Sequence, residues 1–215
     1  MELFWFGHSC FRLTERGLAT VIVDPFDSSA VGYFPLKLKA DIVAISHDAP
    51  GHNFINAAKG ATQILNGPGE FEIGGVFITA VQTDGHGKKI EDFSRNTLYV
   101  FDYNGLTVAH LGDIKQVPTQ SEIEALGNVN VVLIPVGGGG GLNAAKAAEI
   151  IGLLEPNIII PMHYKTRDVS IPLDSLDKFL KEMGLQPLET VPSLKITKSG
   201  LPAESKVIVM DYQRG

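Results

Sequence analysis

The chain has 215 residues, 24 acidic side chains against 18 basic ones and a formal net charge of −6, which predicts a single domain spanning 1–215. With 44% hydrophobic and 20% charged residues, a disordered chain is excluded. An acidic balance without Lys/Arg runs argues against a nucleic-acid-binding face, and no apolar run approaches the roughly 18–20 residues of a membrane span.

Cys10 is the one cysteine, so no internal disulfide can form and a reducing compartment is the natural setting. Met1 to Phe11 lacks a basic n-region and a small-residue cleavage site, so a signal peptide is not expected and the predicted location is cytoplasmic. Phe4-Trp5-Phe6 or the loop at Phe34 is a candidate surface for a homo-oligomer.

In chain order, short runs rich in Val, Ile, Phe and Thr predict strands at Glu2–Phe6, Cys10–Leu13, Thr20–Val23, Asp41–Ile45 and Thr62–Leu65. A shorter helix is expected within Gly51–Lys59. Strand runs resume at Val76–Val81, Thr97–Phe101 and Leu106–Ala109. Thr119–Leu126 then opens with Thr119 and places Glu122 three residues on, a capping box. The runs Val131–Val136 and Asn157–Ile160 contain the continuously apolar stretches Val131-Val132-Leu133-Ile134 and Ile158-Ile159-Ile160, as strands covered on both faces read. Between them Asn143–Leu154 starts at a good N-cap and stripes Ala144, Ala147, Ala148, Ile151 and Leu154. Asp174–Met183 stripes Leu176, Phe179, Leu180 and Met183 before Gly184, and Lys206–Met210 closes the series. Strands dominate the first half and alternate with helices in the second. That pattern predicts an α/β fold of two stacked sheets with helices outside.

Gly137–Gly141 lies between a strand and a helix, where a phosphate cradle would sit. Leu142 breaks the dinucleotide spacing and no Lys-Ser/Thr pair follows. Gly7-His8-Ser9-Cys10-Phe11 likewise fails as a serine-hydrolase elbow, because the second glycine is missing.

Of six histidines, His47, His52, His110 and His163 each follow an apolar strand run within about one loop length. Strand ends converge at one rim of a sheet, so these residues can meet. In His110-Leu111-Gly112-Asp113, a carboxylate stands three residues after a histidine. Imidazole nitrogens with a carboxylate oxygen suit Zn(II); the alternative is that Gly112-Asp113 is an ordinary turn. His8 is either a cleft residue or a strand-end histidine satisfied by backbone. His86 sits in Asp84-Gly85-His86-Gly87, a loop that could cover the cleft or face solvent. Cys10 reads as a buried strand residue.

Taken together, Gly7-His8-Ser9-Cys10-Phe11, Asp24-Pro25-Phe26, Ser46-His47-Asp48, Arg95-Asn96-Thr97, His110-Leu111-Gly112-Asp113, Ile134-Pro135-Val136-Gly137-Gly138 and Ile160-Pro161-Met162-His163-Tyr164 resemble the metallo-β-lactamase superfamily. The nearest likeness is to its small hydrolases, the branch with the ascorbate-6-phosphate lactonases. The resemblance implies a four-layer αβ/βα sandwich of two mixed sheets flanked by helices, with a metal site at one sheet edge. It also implies that Asp24 supports the histidine loop through hydrogen bonds, the alternative being a plain Asp-Pro turn. Tyr164 and Lys165 are candidates to meet an anionic substrate.

The sequence also departs from the family. Two-zinc members carry His-x-His-x-Asp-His, whereas this chain reads His47-Asp48-Ala49-Pro50-Gly51-His52. By resemblance, one ion uses His47, position 49 and His110, the other position 51, His52 and His163, and Asp113 bridges them. Each set has lost one side chain, so the expected ligands are His47, His52, His110, Asp113 and His163. Asp48 is a candidate stand-in for the lost aspartate, although neighbouring side chains usually point in different directions. Three protein ligands plus water suffice for one catalytic zinc, so one Zn ion is expected over two, with Mn or Fe as alternatives.

The implied activity is hydrolysis of a small-molecule ester, lactone, amide or phosphoester by a metal-activated water, with Asp113 and His52 as the catalytic residues. The rival is a non-catalytic descendant that keeps the fold and binds a small molecule or a partner.

Overall fold

A computed structural model describes residues 1–83 and 95–215 of the chain. Two mixed sheets organise it. The first has six strands in the spatial order Leu194–Lys195, Glu2–Trp5, Phe11–Thr14, Val21–Val23, Ile42–Ala44 and Gln63–Leu65. Its first three pairings are antiparallel and its last two parallel. The second runs Lys206–Val207, Ile158–Met162, Val131–Pro135, Leu106–His110, Asn96–Tyr103, Val76–Thr83 and Gly69–Ile73. Its first three pairings are parallel and the rest antiparallel.

Alternation along the strands sorts side chains to two faces. In the first sheet Val21, Val23, Ile42, Ala44 and Leu65 join the core shared with Ile78, Leu98, Phe101 and Val108 of the second. Ile22 and Val43 point the other way, into a separate apolar cluster with Phe26, Val31, Tyr33, Leu36 and Val169. That layer contains the short helix Ser28–Val31, capped by Asp27. Val131 to Ile134 are all fully buried, as a strand covered on both faces must be. The helices Ala144–Leu154 and Leu176–Glu182 contribute Ala147, Ile150, Ile151, Phe179 and Leu180 to the same core. The architecture is therefore the expected α/β sandwich.

The predicted caps are present. Thr119 and Glu122 exchange reciprocal hydrogen bonds in a capping box, and Asn143 accepts from the Lys146 amide. Two expectations change. Within 51–59 a short 3₁₀ turn at Ile55–Ala57 replaces the expected helix and is followed by the two-residue strand Ala58–Lys59, because Pro50 and Gly51 precede it and no apolar stripe follows. Phe4-Trp5-Phe6 is not an exposed patch: Trp5 and Phe6 are buried, and Phe4 is half-buried under the Arg12 guanidinium. Phe34 is exposed, with the Arg214 guanidinium over its ring. No helix among the described residues is long and apolar enough to cross a membrane.

Register decides where the loops emerge. Trp5, Phe11, Val23, Ala44 and Leu65 form one row across the first sheet. Tyr99, His110, Leu133 and Ile160 form another across the second. His8, Asp24 and His47 lie just beyond the first row, and Asp113 and His163 just beyond the second. Two hydrogen bonds tie these edges together: Tyr99 Oη donates to the Ile45 carbonyl, and the Thr97 amide donates to the Ser46 carbonyl.

Candidate metal centre

Five non-glycine residues of the described chain have positive φ, and three of them, His8 (+50°), Asp24 (+47°) and His163 (+52°), stand at this edge. A left-handed backbone costs on the order of 1–3 kcal/mol at a residue with a β-carbon. Their concentration here marks the edge as a place where side-chain position outranks local comfort.

Asp24 is fully buried and organises the loop that carries His47 and His52. Its Oδ1 accepts from the Ser46 amide at 2.7 Å; its Oδ2 accepts from Ser46 Oγ at 2.6 Å and from His52 Nδ1 at 2.8 Å. Burial alone would raise this carboxyl, but the His52 imidazole beside it wins and brings it down to about 2. Because Ser46 spends its hydroxyl proton on Asp24, it accepts from His47 Nδ1 at 3.0 Å. One carboxylate thus fixes two rings, His52 directly and His47 through Ser46. With each Nδ1 engaged in this way, Nε2 is the nitrogen of each ring left to face an ion.

Asp113 enters from the opposite sheet. Its amide donates to Asn96 Oδ1 at 3.0 Å, and Asn96 Nδ2 donates to the Leu111 carbonyl at 3.0 Å, so this buried amide clamps the loop from both sides. Gly112 allows the clamp: it has φ +62°, and a β-carbon there would lie 2.3 Å from Asn96 Oδ1. Asp113 Oδ1 is buried without a hydrogen-bond partner among the described residues and lies 3.8 Å from His163 Nε2.

His163 follows the strand Ile158–Met162, and its amide donates to the His8 carbonyl. That carbonyl also accepts from Trp5 Nε1 at 3.1 Å. The His8 and His163 rings lie with centroids 4.0 Å apart and planes tilted by 37°, and His8 Nε2 faces His52 Nε2 at 3.1 Å. Two groups of possible ligand atoms result, each within 4.8 Å of one another: His47, His52 and Asp113, and His8, His52 and His163.

Burial lowers the pKa of His47 and His163 to about 4 in each case, and pushes His8 well below the usual imidazole value. A conjugate acid that strong holds no proton at neutral pH, so the lone pairs of these rings are available to a cation. Neutral imidazoles, an orphaned carboxylate oxygen and an ionised Asp24 behind them suit a divalent cation.

Residues 2–163 match the family model for the beta-lactamase superfamily domain. The chain belongs to the beta-lactamase superfamily. A UPF0173 protein of Pyrococcus furiosus is 28% identical over 209 residues, covering 85% of this chain and 90% of its own length. A Thermoplasma acidophilum protein, named a UPF0173 metal-dependent hydrolase, is 28% identical over 194 residues and covers 79% and 85%. A metallo-beta-lactamase superfamily protein of Thermotoga maritima, with a crystal structure at 2.00 Å, is 34% identical over 99% of both chains with a TM-score of 0.78.

Within this superfamily member the residues singled out from sequence fall differently. His47, His52, Asp113 and His163 come together; His110 does not. It is fully buried, its Nε2 donates to the Ser9 carbonyl at 2.8 Å, and its Nδ1 accepts from the Gly112 amide at 3.1 Å. With both nitrogens spent on backbone, it has no lone pair for an ion, and its role here is to hold the turn before Asp113. Asp48 is exposed and accepts from Asn53 Nδ2. Tyr164 is buried against Trp5, and Lys165 donates to the Val169 carbonyl. Cys10 is buried, as expected. His86 lies outside the described residues. Sequence reasoning gave no role to Ser46 or Asn96, and their contribution is visible only in the hydrogen bonds.

Proposed function

We propose that the chain is a metal-dependent hydrolase acting on a small-molecule ester, lactone, amide or phosphoester. The observation that carries this is the convergence of His47 and His52, both oriented by Asp24, on Asp113, whose buried Oδ1 has no hydrogen-bond partner among the described residues. His52 would hold one ion either with His47 and Asp113 or with His163; it has one nitrogen facing the site, so the two overlapping groups compete for it. When bound, a zinc ion, or manganese or iron in its place, supplies Lewis acidity and lowers the pKa of a water. Asp24 fixes the rings, and Asp113 offers the carboxylate through which a proton can leave the nucleophile or reach the leaving group. The names of the Thermoplasma relative, a metal-dependent hydrolase, and of the Thermotoga neighbour, a candidate Zn-dependent hydrolase, support the reading. The single buried Cys10 supports a reducing, cytoplasmic setting.

Metal content by mass spectrometry, with Asp113→Ala and His163→Ala beside the wild type, tests the ligands. A panel of esters, lactones and phosphodiesters tests the chemistry. Metal content indifferent to both substitutions defeats the assignment. Ala49 and Gly51, which stand where the family carries a histidine and an aspartate, favour a second reading as a binding protein. That reading wins if the zinc-loaded protein is inert on the panel and Ala49→His with Gly51→Asp creates turnover.

A further inference from the structure

The aspartate missing at residue 51 has a structural counterpart on another loop. A β-carbon placed on Gly51 would lie 2.9 Å from His8 Nε2, 3.3 Å from His8 Cδ2 and 3.2 Å from Val31 Cγ1. The His8 imidazole therefore fills the space that a side chain at 51 would enter. We infer that His8 is a metal ligand of this protein, bound with His52 and His163 in place of the carboxylate lost at Gly51. The inference rests on the metal-centre reading above and names one of its donors.

Geometry supports the assignment in three ways. First, His8 Nε2 and His52 Nε2 face each other at 3.1 Å inside the protein. Two ring nitrogens at that distance must share a proton or turn both lone pairs on one cation. Tetrahedral zinc with nitrogens at about 2.0–2.1 Å sets its ligand atoms roughly 3.3 Å apart, so the pair already has ligand spacing. Second, His8 Nδ1 is buried and has no hydrogen-bond partner among the described residues. No bond holds His8 in one tautomer, and moving its proton from Nε2 to Nδ1 breaks none. Third, the chain spends structure to keep His8 there. Its backbone is left-handed, and its carbonyl is held by both Trp5 Nε1 and the His163 amide, which locks the His8 turn to the turn of a second ligand. A histidine needed only for packing would require neither the strained φ nor the open nitrogen.

Titration of the purified protein with zinc alone, followed calorimetrically, tests the inference. His8→Gly suits the positive φ and removes only the ring. It should weaken zinc binding about 100-fold, and millimolar imidazole should restore most of the loss. Gly51→Asp alone should also weaken binding, because its side chain meets His8, whereas His8→Gly with Gly51→Asp should bind more tightly than either single variant. Thermal melts of the metal-free proteins check folding. Should His8→Gly fail to fold, the zinc-loaded wild-type crystal decides, with His8 Nε2 expected about 2.0–2.1 Å from the ion. Zinc bound equally tightly by His8→Gly, or bound in the crystal away from His8, overturns the inference while leaving the metal centre in place. A wild type that binds no zinc overturns both. Absence of turnover on the substrate panel counts against the hydrolase reading alone, since every readout here is binding.

Discussion

Asp24 Oδ2 lies 2.8 Å from His52 Nδ1, and through Ser46 the same carboxylate also reaches His47. The loop carrying His47 and His52 thus depends on a residue outside both groups of possible ligands. Partners of this kind raise ligand basicity and fix ring orientation, and their loss commonly lowers metal affinity about 10–100-fold. Asp24→Asn is the informative change, because asparagine tolerates the left-handed backbone at +47°. The fold should survive while zinc affinity, measured by competition with a chromophoric chelator, falls within that range. Unchanged affinity would show that the two rings orient themselves.

The correction at His110 gives a second expectation. Its ring is fully buried, and both nitrogens are bonded to backbone. His110→Ala should therefore destabilise the protein by about 2–4 kcal/mol, through a cavity and two unpaired backbone groups. The stoichiometry of bound metal should stay the same. Denaturant unfolding and metal analysis on one preparation separate the two; loss of the ion from a protein of normal stability would return His110 to the ligand set.

Gly141 ends the glycine run and approaches Asp113 more closely than any side chain could. A β-carbon there would lie 2.6 Å from Asp113 Oδ1. Gly141→Ala should push the carboxylate aside and weaken zinc binding roughly 10-fold, because one misplaced ligand is felt by the whole set. Gly141 itself, unlike Gly138, Gly139 and Gly140, does not have a positive φ, so the melting temperature should move by only a few degrees. Zinc binding at wild-type strength would mean that Asp113 takes no part.

Much of the architecture can be read in the sequence because local chemistry and global fold agree. Val131 to Ile134 is apolar throughout, and both its faces are covered; Thr119 with Glu122 announces a helix start, and the cap forms. The site is harder to read. Spacing shows that His47, His52, Asp113 and His163 leave neighbouring strand ends, but not which nitrogen is free. His110 has the same spacing signal and spends both nitrogens on backbone. His8 looks like a strand-end residue because its meeting with His52 depends on a left-handed turn and on the empty space at Gly51. Such tertiary relationships leave no local pattern.

Acid should unfold the metal-free protein in two stages. His47 and His163 have folded values of about 4, lowered by burial, against about 6.5 in an unfolded chain. Between those values the unfolded state binds more protons, so stability falls as pH drops from about 6.5 towards 4. Asp24 acts lower. Burial opposes its ionisation, but His52 outweighs burial and holds it at about 2, below its ordinary 3.8. Its stabilisation is complete above that ordinary value and disappears as pH falls from about 4 to 2. Urea midpoints of chelator-treated protein should therefore decline first between pH 6.5 and 4, then again below 4. Asp24→Asn should remove the second decline and keep the first. Midpoints that stayed level from pH 7 to 4.5 would mean that the rings of His47 and His163 accept protons without cost, and would contradict the buried, neutral donors on which the metal centre is built.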